Sequence, residues 1–160
     1  MAVKVFLSHQ RADAVAAARI ATRLRTVHQI ESYLDVLDPF LNLGGEDLGE
    51  HVRAELSKCT QLLAVVSSST RTSWWVPWEI GVATEKNYPL ATYSDGMIKP
   101  PEYLQKWPYL MTDADIDRYA QASKQYDRTL ITRRATLSES MARSGSTRDF
   151  FVTLRRSLGQ

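Results

Sequence analysis

A single cysteine, Cys59, in 160 residues leaves no internal disulfide to form, and no His or Cys cluster stands near it to build a zinc site. It reads as a small buried hydrophobic residue. Long apolar runs are missing as well. None approaches the roughly 20 residues of a membrane helix, and the start lacks the basic-then-apolar form of a signal peptide, so the expected location is the cytoplasm. An excess of one charge is also absent: 20 basic residues against 18 acidic ones leave +2. Nucleic-acid binding needs a broad basic stripe, which this balance does not provide. The pairs Arg133-Arg134 and Arg155-Arg156 read instead as solvated helix faces. There is no internal repeat, low-complexity tract or linker. What remains, 44% hydrophobic and 24% charged, is the composition of one globular domain with a proper core.

The apolar pattern alternates between two kinds of element. Val3 to Leu7 is a β-prone run that stops at the polar cluster Ser8-His9-Gln10-Arg11-Ala12-Asp13. Beyond it Ala17, Ile20, Ala21 and Leu24 follow the i, i+3, i+4, i+7 rule of an amphipathic helix, with Arg19 and Arg23 on a solvated face. Ser32 to Val36 reads as a second strand. The segment from Leu37 to Gly45 mixes turn formers with Phe40, Leu41 and Leu43, so it is expected to touch something. A helix follows with Glu46, Asp47 and Glu50 toward its start and Leu48, Val52 and Leu56 along one face. Leu62 to Val66 is continuously apolar, as in a strand buried on both faces of a parallel sheet. Pro89 to Tyr93 and Tyr109 to Met111 are further strand candidates. Ile116, Tyr119 and Ala120, then Phe150, Leu154 and Leu158 before Gly159, mark helices in the last third. His28 and His51 fall on helices without evident partners.

Strands alternating with helices in this way predict a parallel sheet with right-handed crossovers and helices on both faces. Ligands of such folds sit outside the carboxyl ends of the strands, near the switch in strand order. Ser8 and His9 after the first strand, Asp38 after the second and Ser67 after the third all emerge at that edge.

The segment Thr72-Ser73-Trp74-Trp75-Val76-Pro77-Trp78-Glu79-Ile80-Gly81 sets one acidic residue among three tryptophans. Pro77 suits the first position of a helix and disfavours the α conformation at Val76, so the helix is expected to begin at Pro77. Glu79 then falls in the first turn, where the helix dipole favours its ionised form. A carboxylate beside indole faces suits a cationic, planar ligand. The competing reading is a bare capping role, although the usual reciprocal Ser or Thr is replaced by Val76.

These residues resemble the Toll/interleukin-1 receptor (TIR) domains, in particular the bacterial ones that cleave NAD. The resemblance covers about residues 3–112. It rests on Val5-Phe6-Leu7-Ser8-His9 followed by Asp13, on Tyr33-Leu34-Asp35 leading into a long loop, and on the W-x-x-x-E pattern from Trp75 to Glu79. It implies a flavodoxin-like three-layer α/β/α fold with a central five-stranded parallel sheet. The chain would be a single TIR domain, 1–160, with a helical extension from about 113 to 160 that covers the sheet or mediates assembly. The implied activity is NAD+ nucleosidase or cyclase, releasing nicotinamide and either ADP-ribose or a cyclic isomer, with NAD+ as substrate and no cofactor or metal. Glu79 would be the catalytic glutamate and Trp75 would pack against a substrate ring. Ser8 and His9 would line the ribose or nicotinamide end, with Ser67 and Asp38 also binding substrate and the loop from Asp38 to Gly45 serving as lid and assembly surface. His9 is expected to bond or pack rather than act as a base, and Trp74 and Trp78 to belong to core or interface. The implied partners are other copies of the domain and a separate effector that senses the product, as in antiphage signalling, with neither nucleic acid nor membrane. The Arg-Asp and Pro-Gly arrangement of receptor and adaptor TIR loops is not found between Asp38 and Gly45.

Two other functions fit parts of the pattern. A non-catalytic interaction module would use the loop and leave the cleft vestigial. A nucleoside 2-deoxyribosyltransferase-like enzyme would use Glu79 as a covalent nucleophile on a glycosidic bond.

Overall fold

The computed structural model describes residues 2–34, 45–68, 75–94 and 99–160. Five strands, β1 (Lys4–Ser8), β2 (Glu31–Leu34), β3 (Gln61–Val66), β4 (Leu90–Ser94) and β5 (Tyr109–Leu110), form one sheet in the order β2-β1-β3-β4-β5. Every neighbouring pair is parallel. The helices are α1 (Ala14–His28), α2 (Gly45–Ser57), α3 (Trp75–Glu85), α4 (Asp113–Arg134) and α5 (Glu139–Leu158). The flavodoxin-like α/β fold expected from the sequence is therefore present. The strands begin and end within a residue or two of the predicted runs; residues 35 and 36 of the second run lie outside the described residues.

Strand alternation sorts the core into two faces. Val5, Leu7, Leu63, Val65, Ala91, Tyr93 and Leu110 point toward α1, α4 and α5 and pack with Ile20, Leu24, Tyr119, Phe150 and Leu154. Phe6, Leu62, Ala64, Val66 and Leu90 point the other way, toward Val52 and Leu56 of α2 and Val76, Ile80 and Ala83 of α3. The third strand is buried at all six positions, as its continuous apolar run predicts. Cys59 is 1% exposed in the second cluster, and burial pushes its thiol up to about 11, which removes thiolate chemistry at neutral pH.

The last third is an αα-hairpin laid on the first face. Thr112 caps α4 in a reciprocal box with Asp115, and Gly159 ends α5 in the left-handed conformation, φ 72°. Gln160 then holds the free edge of β5, its amide donating to the Tyr109 carbonyl at 2.6 Å and accepting from the Tyr109 N–H at 3.1 Å.

Several charges expected on solvated faces are instead ties between helices. Arg19 and Arg23 of α1 pair with Asp113 and Asp117 of α4, with Arg23 forking onto Asp117 at 2.9 and 2.7 Å. His28, which had no evident partner, meets Asp117 at 2.7 Å. Arg133 reaches Asp149 at 2.6 Å, Arg134 forks onto Glu139 at 2.6 Å, and Arg155 donates to the carbonyls of Gln105 and Lys106. The reason is tertiary: the solvated stripes of α1 and α4 become adjacent once both helices bury their apolar stripes on the same sheet face.

This cluster gives a pH dependence. Hydrogen bonds from Arg23 and His28 hold the Asp117 carboxyl at about 2, below its ordinary 3.8. A carboxylate held below its unfolded-chain value adds stability above about pH 4 and loses it as the pH falls through about 2. Asp117→Asn is expected to lower stability at pH 7 by about 1 kcal/mol, a value reduced for partial solvent exposure. Melting temperature followed from pH 6 to 2 should fall less steeply in the variant, and parallel curves would remove Asp117 from the account.

Candidate functional site

The switch in strand order lies between β1 and β3, since the chain moves from β1 outward to β2 and then back past β1 to β3. A crevice opens naturally at the carboxyl ends of such a pair. Ser8 is the last residue of β1 and registers with Ala64 of β3. Because even positions of β1 face α2 and α3, Ser8 shares the face of Phe6 and lies under α3.

The helix supplies the partner. Val76, Ile80 and Ala83 are among its buried apolar residues, and Glu79 falls into the same i, i+3, i+4, i+7 stripe. The carboxylate is thereby carried inward rather than toward solvent. Glu79 and Ser8 are both 0% exposed, and the Ser8 hydroxyl donates to Glu79 Oε2. An ionised carboxylate taken out of water requires such a donor, and a hydrogen bond to a charged group contributes about 1.5–3 kcal/mol.

The helix start differs from expectation. Here α3 begins at Trp75, two residues before Pro77, and no acidic residue stands in its first turn. Pro77 is third in the helix, where its missing N–H is still one that has no intrahelical acceptor, so the proline ring does not set the boundary. Val76 is helical despite preceding proline, held by its burial in the second core cluster. Glu79 consequently sits two residues deeper than predicted, past the first turn, where the helix dipole acts less directly, and it accepts a hydrogen bond from Ser8.

The remaining candidates are spread around this pair. His9 is 3% exposed, and its Nδ1 lies 3.0 Å from the Leu7 carbonyl, so the ring is turned back onto its own strand. Ser67 follows β3 directly and is half-buried at the same sheet edge. Asp38 and the rest of the expected lid segment up to residue 44, Trp74 and the Trp75 side chain lie outside the described residues, and Gly45 is the first residue of α2. Trp78 is half-buried against the second core cluster, with its ring 4.0 Å from where a Cβ on Gly49 of α2 would stand. Gly81 faces open space, so no steric demand explains it.

One residue acquires a weight that sequence reasoning did not give it. Asp13, which in sequence only ends the polar cluster after β1, stands at the N-cap of α1, yet it is 4% exposed and makes no capping bond. The direct Ser8–Glu79 bond was also not anticipated. Its signal was present in two spacings: the even parity of Phe6 and Ser8, and Glu79 falling among Val76, Ile80 and Ala83.

Among the described residues no group of three or more His, Cys, Asp or Glu side chains gathers as a metal site would, and no helix is long and apolar enough to cross a membrane. No curated protein matches the chain. A family model described as TIR domain matches residues 5–125, from β1 across the whole sheet and past the middle of α4. With that match over well more than half its length and the five-stranded parallel sheet beneath it, the chain belongs to the TIR domain family.

Proposed function

We propose that this TIR domain cleaves the bond between nicotinamide and ribose in NAD+, with Glu79 as the catalytic carboxylate. The observation that carries the reading is the buried Ser8–Glu79 pair at the strand-order switch, where a doubly wound sheet takes its ligands. Nicotinamide leaves as a neutral ring from a cationic one, so its departure needs no general acid. Positive charge grows on the ribose as in glycoside cleavage. A fixed carboxylate that engages the ribose hydroxyls stabilises that charge without reorganising at the moment of reaction. In this scheme Ser8 orients Glu79, Trp75 supplies a ring face for the substrate, His9 and Ser67 line the edge, and Asp38 belongs to the covering loop. Water capturing the ribosyl cation gives ADP-ribose, and an adenine nitrogen capturing it gives a cyclic isomer; water exclusion decides between them. The product would serve as a cytoplasmic signal read by a separate effector in antiphage defence, and the active form would be an assembly of TIR domains.

A second reading is favoured by the complete burial of Glu79. In a non-catalytic interaction module the Ser8–Glu79 bond would simply tie α3 to the sheet. Incubating purified protein, dilute and then concentrated, with NAD+ and resolving nicotinamide, ADP-ribose and cyclic products by chromatography separates the two. Nicotinamide that rises steeply with protein concentration supports the enzyme. Silence at every concentration, with and without lysate from phage-infected cells, supports the module.

A further inference from the structure

After Ser8 the chain passes His9 and Gln10 and makes a single 3-10 turn, Arg11–Asp13, closed by the Asp13 N–H on the Gln10 carbonyl at 2.9 Å. Asp13 therefore lies five residues beyond Ser8, past the carboxyl end of the same strand. Arg11 and Ala12 face solvent, but Asp13 is turned inward and is 4% exposed. A residue in this position ordinarily accepts from the first free N–H groups of its helix. Asp13 does not: its backbone is not extended (φ −101°, ψ 7°), there is no side-chain cap bond, and its Oδ2 is buried without a hydrogen-bond partner. A carboxyl group so placed is costly to the fold, and such a group is retained where something else completes it.

The missing partner must be a donor or a cation. A phosphate is excluded there by like charge, although the N-terminus of the first helix is where doubly wound folds commonly seat one. We infer that Asp13 is a second acidic residue of the substrate site, specific for the cationic, hydroxyl-bearing nicotinamide riboside half of the dinucleotide, and that the pyrophosphate and adenosine are held away from α1. The inference rests on the NAD+ reading above. The two vicinal ribose hydroxyls are donors matched to an acceptor-only carboxylate, and the pyridinium charge is matched to a site with two carboxyl groups near one strand end.

Asp13→Asn and Asp13→Ser both keep a good helix-capping side chain and remove the charge. Titration calorimetry of wild type and both variants with NAD+, nicotinamide riboside and AMP tests the assignment, with melting temperature measured in parallel. The expected result is about tenfold or greater weakening for NAD+ and nicotinamide riboside, unchanged AMP binding, and melting temperatures equal to or above wild type, because an uncompensated buried charge has been removed. Equal weakening of all three probes together with a lower melting temperature would make Asp13 a structural cap and overturn the inference. Unchanged NAD+ affinity in both variants, while wild type still releases nicotinamide in a Glu79-dependent way, would sink the Asp13 assignment alone. Wild type that binds none of the probes and releases no nicotinamide would sink the NAD+ reading and this inference with it.

Discussion

Replacing Glu79 by Gln is expected to lower nicotinamide release from NAD+ by about 100- to 1000-fold, the range typical for losing one preorganised electrostatic group, while leaving the protein folded. Gln keeps the volume and an acceptor oxygen for the Ser8 hydroxyl, so the link between β1 and α3 survives. The negative charge that would oppose the growing positive charge on the ribose does not. Because Glu79 is completely buried, removing its charge also relieves desolvation, and the melting temperature should hold or rise. Ser8→Ala acts in the opposite sense. It keeps the charge but removes the donor that holds it, so it should lower both stability and rate, the rate by roughly tenfold. Comparing single-turnover rates and thermal melting of the two variants separates the roles. A Glu79→Gln protein as active as wild type would leave Glu79 as a structural tie and favour the interaction module.

Phe150→Ala is expected to have the largest effect on stability, about 3–5 kcal/mol, read as a fall in melting temperature of roughly 10 °C. Phe150 is 3% exposed and stands edge-on to Tyr119 at 6.0 Å, to Tyr126 at 6.2 Å and to Phe151 at 5.8 Å. Those rings join α5 to α4 and, through Tyr119, to the core beneath β1 and β3. The helix α5 lies beyond residue 125, where the family match ends, yet its Phe150 and Leu154 belong to the same cluster as Val5 and Leu63. A loss of stability with a single cooperative transition would show that α5 folds with the sheet. A loss under about 1 kcal/mol, or two separate transitions, would make the hairpin an appendage.

Much of the fold was legible because burial leaves a periodic trace. The alternation of strand and helix, the all-apolar third strand and the Gly159 stop each follow from one local rule acting on a few residues. The candidate site was legible only as a set of residue types. Trp75 and Glu79 at a four-residue spacing, with Ser8 at a strand end, suggested a carboxylate near an edge, but spacing along the chain does not say which side chain meets which. The expected helix start at Pro77 failed because a proline is accommodated anywhere in the first turn, and the burial of Val76 outweighed the local preference of the residue before proline. Arg19, Arg23 and His28 looked unpartnered because their partners, Asp113 and Asp117, lie some 90 residues away along the chain.

The sequence by itself determined the layer architecture, the order of elements, the exclusion of an internal disulfide and the presence of one acidic residue among three tryptophans, since each depends on composition or on a period of two or 3.6 residues. Only the tertiary structure decided that Ser8 binds Glu79, that Asp13 is sealed inside the first turn without a partner, and that α1 and α4 are tied by charge. Those are contacts between elements, and they exist only after two apolar faces have been buried against one sheet and have brought distant polar groups within hydrogen-bonding distance.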